Sequence, residues 1–166
     1  MALWLVLTLL LLGVTLQAAA EDKSNGFNSN IAWLAPADMR TFDYASNTKP
    51  IVHIFSQPWC GACKRLKEDF TNNGQSVVDA SSDFVMVSIG GETETDQFSG
   101  KEYQPDGGYI PRILFAEPNG KLRTDIKNEG GNPQYAYYYT SADNVAQAMA
   151  AAKRKLTAAS RPIAEL

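Results

Sequence analysis

The apolar residues come in short blocks set apart by Gly-, Pro- and Asn-rich breaks, and their spacing changes from block to block. Leu3 to Leu16 is nearly uninterrupted, Ala18-Ala19-Ala20 follows, and charge begins at Glu21. An apolar stretch closed by small residues predicts a secretory signal peptide over residues 1–20, cleaved after Ala20. An uncleaved anchor is the alternative, but the stretch falls short of the roughly 20 apolar residues that a spanning helix needs. Residues 21–32 are polar and read as a flexible leader. Met39, Phe42 and Ala45 recur at helical spacing behind Pro36, which suits a first helical position, so a helix is expected over 36–47.

After Pro50 the pattern changes to a β-branched run, 51–56, the mark of a buried strand. Leu66 and Phe70 then lie four apart in a helical stretch, 60–73, which Gly74 stops. A short helix is expected over 77–81 and a second buried strand over 84–89. The polar stretch 90–108 is long for a plain connection, so it is functional or carries a helical turn. Residues 112–116 read as a third strand. Pro118-Asn119-Gly120 signals a hairpin turn, with 122–126 as the returning strand. Tyr135 to Tyr139 fits either a loop or a short strand. Ser141 caps a last helix, 141–156, with Val145, Ala148, Met149 and Ala152 on one stripe. Strand–helix–strand implies a parallel pair and the hairpin adds antiparallel pairing. The fold class is therefore α/β, a mixed central sheet with helices on both faces. The domain spans 33–157 and a polar tail spans 158–166.

Composition narrows the function. The chain has 166 residues, enough for one ordinary domain, and 45% of them are apolar, enough for a packed core. Net charge is −3 and no basic stripe appears, which argues against a nucleic-acid partner. Lys153-Arg154-Lys155 suits the carbonyl end of the last helix. Past the leader no stretch could span a bilayer, so no membrane partner is expected once the signal is removed.

The chain's two cysteines, Cys60 and Cys63, sit where the first strand hands over to a helix. A secreted chain with one closely spaced pair gains little staple from it, because the loop it closes is short. Two Cys and the single His53 cannot fill a four-ligand zinc site, so no metal is expected. Exchange chemistry fits better. The thiolate is the attacking species, and an ordinary thiol, with a pKa of about 8.5, holds little of it at neutral pH. A helix N-terminus favours the thiolate through its unpaired N–H groups and dipole. Cys60 is thus the expected nucleophile, and Cys63, one turn on, the resolving cysteine. Trp59 either shields the sulfur and offers a flat face to a client, or is a core tryptophan. Lys64 and Arg65 read as solvated helix charges and His53 as structural.

Strand, Trp59-Cys60-Gly61-Ala62-Cys63-Lys64, then a proline opening a later strand, resembles the thioredoxin fold. Phe84-Val85-Met86-Val87, the run from Pro105 to Phe115 (PDGGYIPRILF) and Asn128-Glu129-Gly130-Gly131-Asn132-Pro133 extend the likeness. They resemble the small single-domain thioredoxin-like proteins of the endoplasmic reticulum, related to the anterior gradient proteins, from about Asn25 to Leu156. The resemblance implies a protein thiol–disulfide oxidoreductase, a reductase or oxidase, in the reticulum lumen. It implies a cis Pro111 facing the cysteines, and a client held at Trp59, Gly61, Ala62, Ile110 and Pro111. No cofactor beyond the dithiol is implied. Glutathione or another oxidoreductase would recycle the pair, client proteins with thiols or disulfides are the partners, and the chain is expected to be a monomer.

Three departures from the pattern matter. Ile54 stands where such enzymes often bury a carboxylate, six residues before the first cysteine. The dipeptide Gly61-Ala62 leaves the potential open across about −270 to −120 mV. The chain ends Ile163-Ala164-Glu165-Leu166, which shares two positions with the Lys-Asp-Glu-Leu retention signal, so secretion is an alternative address. Anterior gradient relatives with one cysteine make a client-binding or chaperone-like module the competing function.

Overall fold

Five consecutive buried residues, Ile51–Phe55, form the strand (β2) on which the sheet is built. The computed structural model describes residues 22–91 and 96–159. In it β2 lies between β3 (Val85–Ile89), which it pairs in parallel, and β4 (Arg112–Ala116), which it pairs antiparallel. A short strand, β1 (Trp33–Leu34), pairs in parallel with β3, giving the order β1-β3-β2-β4. The parallel pair is joined by α1 (Gly61–Asn72) and α2 (Gln75–Ser81), and α3 (Ala142–Ala159) closes the described chain.

Successive side chains of β2 go to opposite faces. Val52 and Ile54 join Leu66 and Phe70 of α1, Val77 of α2, and Val145 and Met149 of α3. Ile51 and Phe55 join Met39, Phe98, Ala136 and Tyr137 on the other side. The three α-helices therefore cover one face. The opposite face is covered by 3₁₀ helices, Pro36–Arg40, Asp96–Phe98 and Lys101–Tyr103, with their loops. The expected α/β mixed sheet is present, with its second helical layer built from these short turns. The long polar connection carries two of them.

Four local expectations need correction. The helix over 36–47 shrinks to the 3₁₀ turn Pro36–Arg40, because the Asp43 carboxylate accepts the N–H groups of Ala45 and Ser46 and folds that stretch into a turn. The returning strand over 122–126 reduces to one bridge, Ala116 with Leu122. The Pro118-Asn119-Gly120 turn itself forms, with Gly120 at φ +88 and Glu117 N–H bonded to the Lys121 carbonyl. Beyond it the Ile126 N–H turns back to the Arg123 carbonyl. The free side of β4 is met instead by the ambiguous aromatic stretch, where the Tyr137 carbonyl accepts the Ile113 N–H.

The leader is the third correction. Phe27 and Ile31 are buried in the main core, and the Phe27 ring lies 5.0 Å from Phe70 and 5.7 Å from Trp33. Asn28 Nδ2 donates to the Phe70 carbonyl and Asn25 Nδ2 to the Gly90 carbonyl. The polar majority of this segment hides two apolar anchors, while its Asn side chains tie its turns to the domain. The fourth concerns the C-terminal boundary: α3 continues through Ala159, past the expected start of the tail. The expected signal peptide over 1–20 and residues 160–166 lie outside the described residues.

His53 is buried, with its ring 5.6 Å from Phe98 and 5.7 Å from Tyr103, and its Nδ1 has no hydrogen-bond partner among the described residues. Burial pushes its pKa down to about 4.

Two outcomes follow from this packing. Phe27→Ala should lower stability by about 3–5 kcal/mol in urea unfolding, the range for a buried phenylalanine, whereas a loose leader would leave it unchanged. Between pH 6.5 and 4 the unfolded chain protonates His53 and the folded chain does not, so stability is full above this window and falls as pH falls through it. The loss from pH 7 to 4.5 should be about 2–3 kcal/mol, at 1.36 kcal/mol per pH unit, and His53→Phe should flatten it.

Candidate functional site

β2 delivers the chain to the site. After Phe55 the Ser56 N–H still bonds the Ile89 carbonyl, and then Gln57 to Cys60 turn, with the Cys60 N–H on the Gln57 carbonyl at 3.1 Å. Gly90 makes this crossing possible. Its φ is +147, and a Cβ there would sit 1.6 Å from the Ser56 carbonyl oxygen.

Cys60 is the N-cap of α1, with extended φ −79 and ψ 112. Its Sγ accepts the Cys63 N–H at 3.1 Å, one of the donors that a helix start leaves without a helical partner. Cys60 and Cys63 are joined as a disulfide, with Cα atoms 5.2 Å apart. Their exposure differs in the way exchange requires: Cys60 is 7% exposed and Cys63 0%. An incoming sulfur meets Cys60 first. Gly61 is exposed and Ala62 half-buried on the outer turn, while Lys64 and Arg65 face solvent.

Trp59 is 76% exposed, so it belongs to the surface beside the sulfur and not to the core. The Ile110-Pro111 bond is cis, and the Ile110 carbonyl oxygen lies 3.8 Å from Cys60 Sγ. Trp59, Cys60, Cys63, Gly61, Ala62, Ile110 and Pro111 are thus brought to one end of the sheet. A cavity of about 240 Å³ opens beside them, lined by Trp59, Phe55, Phe98, Ile110, Ser56 and Gln104 among others. A larger cavity, about 380 Å³, lies between α3 and the 126–130 loop and contains no cysteine. His53 stays apart, among the rings of the opposite face. Among the described residues no three His, Cys, Asp or Glu side chains gather as a metal-ligand set.

Ile54 is fully buried and faces Ile113 across the sheet, so the position six residues before Cys60 is apolar in three dimensions as well as in sequence. Arg112 is another matter. It is 3% exposed, its guanidinium stacks 4.4 Å from the Phe55 ring, and Nη1 donates to the Tyr109 carbonyl at 2.6 Å. Asp106 and Tyr109 form a second set of contacts behind Ile110. Sequence reasoning passed over all three. The signal was the PDGGYIPR run itself, in which an acid precedes a tyrosine by three residues and an arginine follows the proline.

Comparison with known proteins places the chain in a family. A family model described as Thioredoxin-like matches residues 32–118. Anterior gradient protein 3 of Mus musculus is 32% identical over 117 residues, 70% of this chain and 68% of that protein. Anterior gradient protein 3 of Xenopus tropicalis is 30% identical over 119 residues, 72% of this chain and 70% of that protein. Among solved structures, a disulphide isomerase from Xylella fastidiosa Temecula1 aligns at 26% identity and TM-score 0.35, over 54% of this chain and 65% of that one. The chain belongs to the thioredoxin-like family and, within it, stands with the anterior gradient proteins.

Proposed function

We propose that this chain is a thiol–disulfide oxidoreductase acting on protein clients, with Cys60 as nucleophile and Cys63 as resolving cysteine. The observation that carries the reading is the unequal pair: a sulfur at the helix start, reached by an N–H and keeping a small exposed edge, bonded to one that is fully enclosed. In the reducing direction the Cys60 thiolate attacks one sulfur of a client disulfide. A mixed disulfide forms and the client's other sulfur leaves as a thiolate. The Cys63 thiolate then attacks Cys60 Sγ, the Cys60–Cys63 bond forms and the second client sulfur departs. Two electrons have passed to the client, which takes up two protons. In the oxidising direction a client thiolate attacks Cys60 Sγ and the same steps run backwards.

The client is held as an extended segment along Ile110, whose N–H has no partner among the described residues, with Trp59, Gly61, Ala62 and Pro111 completing the groove. Glutathione or another oxidoreductase recycles the dithiol, and the chain works as a monomer. Residues 1–20 direct it to the reticulum lumen, where the C-terminal Glu165-Leu166 contributes to retention, and partial secretion is the alternative address. The finer likeness is to thioredoxin domain-containing protein 12, and it rests on the two-cysteine motif and the PDGGYIPRILF run. The exposed Trp59 ring favours a second reading, a client-binding module with incidental redox activity.

Insulin reduction separates the two. Cys60→Ser and the double Cys60→Ser/Cys63→Ser variant should fall to background, and Cys63→Ser should accumulate a mixed disulfide with the client. Full function in a client assay without either sulfur would favour the binding module. In the reduced protein at pH 7, iodoacetamide should label Cys60 before Cys63. Removing Glu165-Leu166 should raise the secreted fraction severalfold, and an unchanged fraction would remove these residues from the address.

A further inference from the structure

Asp106 is an exposed carboxylate that forms no ion pair among the described residues. Its partners are a phenol and a backbone N–H. The Tyr109 hydroxyl donates to both carboxylate oxygens, at 2.7 and 2.8 Å, and the Ala136 N–H donates to Oδ2 at 2.7 Å. The same phenol oxygen accepts the Tyr137 N–H at 3.0 Å. The Tyr137 carbonyl in turn takes the Ile113 N–H of β4. Gly107, at φ +138, gives the backbone turn between Asp106 and Tyr109. The Tyr109 ring packs edge-on at 5.1 Å from Tyr135.

These contacts join two loops that no sheet hydrogen bond connects directly, and they end one residue before Ile110. Arg112, from the far side of the cis bond, grips the Tyr109 carbonyl. Tyr109 is therefore held at its hydroxyl by Asp106 and at its carbonyl by Arg112, with the Ile110 carbonyl 3.8 Å from Cys60 Sγ beside it. Burial, together with the neighbouring Asp106 carboxylate, keeps the Tyr109 phenol well above its ordinary pKa, so it remains a donor.

We infer that Asp106 is a positioning residue for the exchange reaction: through Tyr109 it sets where Ile110 stands over Cys60, and so how a client strand is presented to the sulfur. Such a residue matters for substrates that lie along Ile110 and not for a disulfide too small to reach it. The inference rests on the redox reading for its substrate but not for its geometry. Asp106→Asn replaces one acceptor oxygen with an amide that opposes the incoming donors. Tyr109→Phe removes the hydroxyl.

The experiment compares a peptide disulfide with bis(2-hydroxyethyl) disulfide, using the mature chain and its Asp106→Asn, Asp106→Glu, Tyr109→Phe and doubly substituted forms. For Asp106→Asn, kcat/KM on the peptide should fall roughly tenfold, mostly in KM, as expected when a charge-assisted hydrogen bond that holds a binding segment is lost. Exchange with the small disulfide should change less than twofold. Asp106→Glu should recover part of the loss, and the double variant should be no worse than the worse single one, because both substitutions break one unit. The Ile110 amide resonance should move in Asp106→Asn and in Tyr109→Phe. Equal losses on both substrates, or a peptide rate unchanged, would overturn the inference, as would an Ile110 resonance that stays in place. A wild-type chain that exchanges with neither disulfide, while Ile110 still moves in the variants, would overturn the redox reading and leave standing only that Asp106 places Ile110.

Discussion

One backbone N–H aimed at one sulfur organises this molecule. The Cys63 N–H reaches Cys60 Sγ because α1 begins at Gly61, with Cys60 as its cap. α1 begins there because β2 ends at Phe55 and a four-residue turn follows. A helix start elsewhere would satisfy that N–H in another way and leave the sulfur to water. The rest of the fold serves this junction. β3 and β4 fix β2 from both sides, and Leu66 and Phe70 clamp α1 to the face that β2 presents.

The junction was legible in the sequence because each of its parts is local. A β-branched run, a turn, a cysteine and an amphipathic stretch announce themselves within about 20 residues. Exposure of Trp59 was not legible, since a tryptophan beside a core strand fits either surface or interior. The elements misread share one cause: polar side chains bonded to nearby or distant backbone. Asp43 ends the first helical turn early, and Asn25 and Asn28 fasten a segment whose composition reads as loose. Such bonds depend on where the partner backbone lies, which periodicity does not encode. The contacts behind Ile110 that the sequence did not show are of the same kind. Asp106 meets Ala136 across 30 positions of chain, and nothing near either residue indicates the meeting.

The two faces of the sheet carry different duties. The face under the α-helices is packed with Phe70, Met149 and Leu66, all fully buried, and it gives the domain its stability. The opposite face is covered by 3₁₀ turns and loops, and it holds the groove beside Trp59, the stacked Arg112 and the Asp106 contacts. The division separates the two halves of the site: Cys60 caps a helix packed in the first layer, and Ile110 packs with the second.

The apolar Ile54 adds a consequence for the chemistry. Cys63 is enclosed, and no carboxylate occupies the position that would take its proton. Negative charge in the reduced dithiol is therefore better placed at Cys60, where an N–H points at the sulfur, than at Cys63, which sits behind the first helical turn. In the proposed reaction this arrangement favours a first attack by Cys60. In the proposed second step Cys63 gives up a proton, and with Ile54 in place of a carboxylate the acceptor is water or the departing client thiolate. In the proposed complex a client along Ile110 keeps that sulfur close, and the sulfur is itself a base. On that reading the contacts proposed to present the client strand also keep in reach the group that accepts the proton, which ties the resolving step to how well the groove is formed.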